Sequence, residues 1–215
     1  MAPDSSVDVF SAPAMADALP SPTVQAAVAA GVRLTMRTHF PHNFYSLCHA
    51  YAVLGSNVAS IATGREYRPV AGHAAFDAGH EVIAMDEERA FGNGQGGAYH
   101  CWIESHGHTP RELVDLTFGN NHHYAIANGF SWRGPRPPEY LWGTFDRLTV
   151  DLPRQQLVPG FGQDRIWLQE TTSGALWMED HINANANAYL RLTTLALCHY
   201  RDRMEAAGHT APLPA

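Results

Sequence analysis

Ser46-Leu-Cys-His-Ala-Tyr-Ala-Val-Leu54 opens with a polar residue, reaches a cysteine and continues as a run of good helix formers. With Ser46 as N-cap, Cys48 takes the second position of a helix. There, unpaired backbone N–H groups and the positive end of the helix dipole favour a negative charge. A thiol so placed ionises more readily, and the thiolate is the nucleophilic form. A start at Asn43 is also compatible with the residues; Cys48 would then lie in the second turn and feel the dipole less. The competing reading is a buried structural cysteine, since free cysteines are among the most buried residues. The rest of the chain has to decide between them.

The chain has 215 residues, 45% of them hydrophobic, which suits one domain with a sizeable core. A net charge of −7 argues against a sequence-independent grip on nucleic acid, which needs a basic footprint. All 14 cationic side chains are arginine, which together with the many alanines reads as biased genomic composition. Cys48, Cys101 and Cys198 are too few and odd in number for a disulfide framework, so a reducing, cytoplasmic compartment is expected. No basic segment followed by an apolar core marks a secretory signal, and no apolar run approaches membrane-spanning length.

Residues 1–20, rich in Ala, Pro, Ser and Asp, read as disordered or loosely packed; 21–215 read as a single domain with a C-terminal helical extension. Ser21-Pro22 starts a helix that runs to about Thr38. The cysteine helix is expected to end near Thr63 with Gly64 as C-cap, Gly55, Ser56 and Asn57 weakening its middle. Tyr67 to Phe76 reads as a strand in which Pro69 and Gly72 suggest an edge or a bulge. Residues 84–90 read as acidic surface. Gly92 to Gly97 is a glycine-rich connector lacking the Lys-Ser/Thr ending of a phosphate-binding loop. Ala98 to Glu104 is the best strand of the chain, with Tyr99, Cys101 and Ile103 on one face and His100, Trp102 and Glu104 on the other. A turn at Ser105–Pro110 leads into Arg111–Thr117, an antiparallel partner. Beyond it we expect a loop over Phe118–Tyr124 and strands at Arg147–Asp151 and Arg165–Glu170. A closing helix should span about Asp180 to Met204, with Ile182, Ala186, Tyr189, Leu190, Leu197 and Tyr200 as its buried face.

Three residue types stand out chemically: Cys48 at a helix start, His100 on a strand and Asp115 on the next strand. Cysteine chemistry needs a base that takes or stabilises the thiol proton and an acid that returns a proton to the leaving group, and histidine does both near neutrality. A carboxylate on the other ring nitrogen fixes the tautomer and supports the imidazolium.

In order, the chain contains Cys48, Arg68-Pro-Val-Ala-Gly72, His100-Cys-Trp-Ile-Glu104 and Val114-Asp-Leu-Thr117. This succession resembles the transglutaminase-like cysteine enzyme superfamily, over about residues 44–118. The resemblance implies an α+β fold with a papain-like core, the nucleophile helix packed on an antiparallel sheet. It implies Cys48 as nucleophile, His100 as base and acid, and Asp115 as orienter. Cys101 and Leu116 depart from the family, which usually has a small or apolar residue and often a proline there; neither departure removes a catalytic group.

The expected function is therefore a thiol hydrolase that cleaves a peptide or isopeptide amide through an acyl-enzyme, without a cofactor, on a peptide, protein or small amide substrate. Transfer to an amine is the alternative. The backbone N–H of Cys48 is the natural first oxyanion donor, with Asn43 or His42 as candidates for the second. Trp102 is a candidate shield of the ion pair, or a core residue. Glu104 reads as solvated or salt-bridged, and His122 and His123 as an exposed loop or cleft rim. Competing classes are a metal site using Cys48, His49, His100, Cys101, His106 or His108, though no zinc-module spacing is present, and a non-catalytic binding module on the same fold. Arylamine N-acetyltransferases share the Cys-His-Asp set, but their Arg-Gly-Gly-x-Cys lead-in is absent: here it is Phe44-Tyr-Ser-Leu-Cys48.

Overall fold

A computed structural model describes residues 18–92 and 97–209. Most of the loosely packed segment expected over 1–20, the centre of the Gly92–Gly97 connector and the tail from 210 lie outside the described residues. The fold is α+β: helices packed against one antiparallel sheet.

Helix α1 (Pro22–His39) starts as its sequence dictates, with Pro22 in the first turn and the Ser21 hydroxyl accepting from the Val24 N–H at 3.3 Å. Its apolar stripe, Val28, Val32 and Met36, is fully buried. Helix α2 (Cys48–Thr63) ends where expected, on Gly64 in the left-handed conformation. Its middle is not weakened. A Cβ on Gly55 would lie 2.5 Å from Ile103 Cδ1 and 2.6 Å from Leu116 Cδ1, so the missing side chain lets the helix seat directly on the sheet. Tertiary burial here overrides a poor intrinsic helix propensity.

The sheet runs β2 (Val82–Met85), β1 (Tyr67–Asp77), β3 (His100–Ser105), β4 (Glu112–Asp115) and β5 (Leu141–Thr144), with β6 (Ile166–Glu170) also paired to β1. One side of β1 takes β3 along 67–72 and then β2 along 74–77; the other takes β6 along 72–76. The edge expected from Pro69 and Gly72 is therefore corrected: β1 is central. Pro69 precedes the stretch covered by β6, so its missing N–H interrupts no ladder there. Gly72 sits where β6 arrives, and a Cβ on it would meet the Gln169 carbonyl oxygen at 2.1 Å.

Other expectations change. Residues 84–90 include the end of β2, whose Ile83 and Met85 are buried, so the acidic residues around them hid a short strand. The strand expected at Arg147–Asp151 is replaced by β5 and a one-turn helix α4 (Phe145–Leu148). The loop expected at Phe118–Tyr124 is a 3₁₀ turn leading into the short helix α3 (Asn121–Ala127). The single closing helix is two, α5 (Thr172–Ala184) and α6 (Ala186–Ala206), parted at Asn185, whose side-chain amide donates to the His181 carbonyl at 2.9 Å. On α6 the buried stripe is Tyr189, Thr193, Ala196, Tyr200 and Met204. Ala186 and Leu190 face solvent instead, Leu190 at 68% exposure.

The strand alternation read from Tyr99 to Glu104 holds. Cys101 and Ile103 join the core with α1, α2 and α6, whereas Trp102 joins Val70, Phe76, Leu113 and Phe118 on the other side of the sheet. Two buried carboxylates tie the strands together. Glu104 accepts from Trp102 Nε1 at 2.8 Å, Arg111 Nη2 at 2.6 Å and Arg68 Nη2 at 3.2 Å. Glu112 accepts from Tyr67 Oη at 2.9 Å and Trp142 Nε1 at 3.0 Å and pairs with Arg65. Of the two readings of Glu104, the salt-bridged one holds and the solvated one does not. Among the described residues no helix is long and apolar enough to cross a membrane.

Candidate active site

Cys48 is the first residue of α2, and the N-cap is Leu47 rather than Ser46 or Asn43. Leucine has no side-chain acceptor, and the helix start carries no side-chain cap. The first N–H groups of a helix have no acceptor within it, so those at Cys48 stay uncapped by any side chain. Ser46 is engaged one turn earlier: its hydroxyl donates to the Asn43 carbonyl at 3.0 Å.

His100 and Asp115 lie in adjacent strands and project to the same face, an arrangement the sequence allowed without fixing. His100 Nε2 and Asp115 Oδ2 are 2.8 Å apart, with both residues buried. The second carboxylate oxygen, Oδ1, accepts from the Thr117 N–H and hydroxyl, each at 2.8 Å. The Val-Asp-Leu-Thr segment thus locks its aspartate with its own threonine. With Nε2 taken by Asp115, Nδ1 is the ring nitrogen left to the thiol. Trp102 lies parallel to the imidazole, centroids 6.4 Å apart and planes 16° off, and its indole N–H is held by Glu104. It is a core residue that also closes off one face of the His100 ring.

Cys48 adjoins three groups. The buried Cys101 thiol beside it is the strongest influence holding its pKa well below the usual thiol value; burial opposes this, and the neighbouring His100 and His49 and the charge of His100 reinforce it. Burial and the neighbouring Cys48 push the Cys101 thiol the other way. For His100 the largest influence is burial, which acts downward. Asp115, by charge and hydrogen bond, and Cys48 overcome it and push the imidazole up to about 10 from an ordinary 6.5. The two shifts act in one direction: they favour the anion on Cys48 and the cation on His100. Behind Cys48, His49 packs edge-on against His181 at 4.7 Å and Trp177 at 5.8 Å and shares a 3.3 Å hydrogen bond with Tyr99 Oη.

Cys48 and His100 open on a cleft of about 180 Å³ whose wall also carries Tyr45, Tyr99, Asn121 and Tyr124. Pockets for drug-sized ligands run from about 300 Å³ upward, so this one suits a side chain or short acyl group. Among the described residues, the wall carries no Asp, Glu or Arg, and His100 and Cys48 are its only histidine and cysteine. Asn43 and His42 are exposed and are not part of the wall, which corrects their placement as oxyanion donors. His122 and His123 also stay outside it; the faces turned inward are those of Asn120, Asn121 and Tyr124. Sequence reasoning missed these three because the Asn- and His-rich stretch was too short to show helical periodicity. Among the described residues no group of three or more His, Cys, Asp or Glu could hold a metal ion.

No family model matches the chain, and no curated protein matches it. A crystal structure of a structural-genomics target is similar in fold, with a TM-score of 0.61 and 13% identity over 87% of this chain and 83% of that one. At that identity the likeness concerns the fold alone.

Proposed function

We propose that the protein is a thiol hydrolase of the transglutaminase-like type, with a papain-like core, cleaving an amide bond through an acyl-enzyme on Cys48. The observation that carries this reading is the buried 2.8 Å His100–Asp115 pair, with His100 and Cys48 in the wall of one cleft.

In this reaction Cys48 Sγ attacks the carbonyl carbon and the carbonyl oxygen takes the electron pair, held by the uncapped N–H groups at the start of α2. Collapse of the intermediate breaks the C–N bond while His100 passes its proton to the departing amine. Neutral His100 then takes a proton from water, whose oxygen attacks the thioester and releases acid and free Cys48. Asp115 keeps the ring oriented and favours its cationic form throughout. A small uncharged wall accords with a single neutral side chain or peptide carbonyl in the cleft. Peptide or isopeptide bonds are the first substrate class; an amine in place of water would make the same thioester a transfer intermediate.

Intact-mass spectrometry of the protein with peptide amides tests this directly. The expected result is an acyl adduct on Cys48 that decays with release of acid and is absent in Cys48→Ser. Hydrolysis that persists undiminished in Cys48→Ala contradicts the proposal. Added primary amine distinguishes hydrolysis from transfer by the product formed.

A further inference from the structure

Asn121 is 4% exposed, lines the cleft that holds Cys48 and His100, and has an amide Nδ2 that is shut from solvent and donates to nothing among the described residues. Buried polar groups nearly always find a partner, so a carboxamide left without one at a cleft wall needs an explanation. The backbone leading to it is fixed. The Asp115 carboxylate anchors Thr117, the Asn120 N–H bonds the Thr117 carbonyl at 2.7 Å, and the Gly119 N–H bonds the Glu139 carbonyl at 3.3 Å. Asn121 follows as the first residue of α3. The segment that orients His100 therefore also sets the position of this amide. Among the described residues no hydrogen bond holds the Asn121 side-chain amide, so its N–H is free to bond an acceptor that enters the cleft.

We propose that Asn121 donates a hydrogen bond to the acyl oxygen of the substrate, as the second oxyanion donor beside the N–H of Cys48. The proposal rests on the reading of Cys48 as an acyl-enzyme nucleophile. It fills the role that the exposed Asn43 and His42 cannot, and it selects substrates with a carbonyl acceptor next to an uncharged acyl group. A donor aimed at the developing oxyanion raises the rate of acylation and leaves the thiolate itself unchanged.

Two electrophiles separate these effects. With p-nitrophenyl acetate, Cys48 sulfur bonds to the carbonyl carbon, the oxygen becomes an oxyanion, and the C–O bond to p-nitrophenolate breaks. The leaving group needs no proton, so His100 is not tested. With methyl methanethiosulfonate, the thiolate bonds to the methylthio sulfur, the S–SO2 bond breaks, methanesulfinate leaves, and no tetrahedral oxyanion forms. Asn121→Ala, and Asn121→Leu as a variant that leaves less of a void, are expected to slow acylation about a hundredfold. Their reaction with the thiosulfonate should stay within about twofold of the parent. A merely structural role would slow both reactions together, and that result overturns the proposal, as does acylation at the parental rate. A parent protein whose Cys48 reacts with the thiosulfonate but is never acylated overturns the underlying acyl-enzyme reading instead.

Discussion

Replacing Asp115 with asparagine keeps the size of the side chain and an oxygen for both Thr117 bonds, but removes the charge that His100 depends on. Burial is the strongest influence on His100 and acts downward; Asp115 is the largest one opposing it. Moving an imidazole from 6.5 to about 10 corresponds to roughly 5 kcal/mol in favour of the cation. Most of that is lost in Asp115→Asn, so the ring becomes neutral at pH 7 and Cys48 loses its counter-charge. A full return to an ordinary thiol pKa near 8.5 would leave only about 0.3% thiolate at pH 6, at most about 300-fold less than a fully ionised thiol. Cys101, the strongest influence lowering Cys48, remains in the variant, so the rise is smaller than that, and the greater nucleophilicity of a less acidic thiolate recovers about tenfold. The net expectation at pH 6 is slower alkylation of Cys48 by iodoacetamide, by at most about 30-fold. The pH dependence should change as well. The variant's alkylation profile should lie at higher pH than that of the parent, whose thiol is held well below its usual value. Rates are read by intact mass with unfolding monitored in parallel. A folded Asp115→Asn protein that keeps the parental profile would contradict this role for Asp115.

Cys101→Ala removes the strongest influence lowering the Cys48 pKa, so the midpoint of Cys48 alkylation moves to higher pH. Cys101→Ser, which restores a donor, should move it part of the way back. Glu104→Ala strands a buried Trp102 N–H and two arginines that can still reach water, so the expected loss is about 2–4 kcal/mol in urea unfolding. Glu104→Gln keeps an acceptor for the indole and should lose less; no difference between the two contradicts the role assigned to the carboxylate. Gly72→Ala forces a methyl to within 2.1 Å of the Gln169 carbonyl and should destabilise by more than about 2 kcal/mol, through displacement of β6.

The part of the site legible in the sequence was the part set by local pattern. Strand alternation put His100 and Trp102 on one face, and the hairpin-like turn after Ser105 made Asp115 a neighbour. Helix capping told less. Ser46 has the right chemistry for an N-cap but sits one residue too early, and Leu47 takes the position through the geometry of the preceding 3₁₀ turn. The oxyanion candidates failed for a related reason. Proximity in sequence to Cys48 favoured Asn43, whereas the cleft wall is completed by Asn121, brought round by a sheet crossing that no local signal reports. Pro69 and Gly72 misled because edge statistics ignore where a partner strand begins. Cys101 was visible in the sequence as a departure from the resembled pattern, but its place beside Cys48 belongs to tertiary packing.

The proposed chemistry requires that environment, not access, make Cys48 the reactive thiol. The three cysteines rank by exposure as Cys198, Cys48, Cys101, and by thiolate character with Cys48 first. Limited iodoacetamide at pH 6, followed by peptide mapping, compares the two orders directly. Carbamidomethylation of Cys48 well ahead of the exposed Cys198 is the predicted result. Modification of Cys198 first, with Cys48 left unlabelled, would contradict the claim.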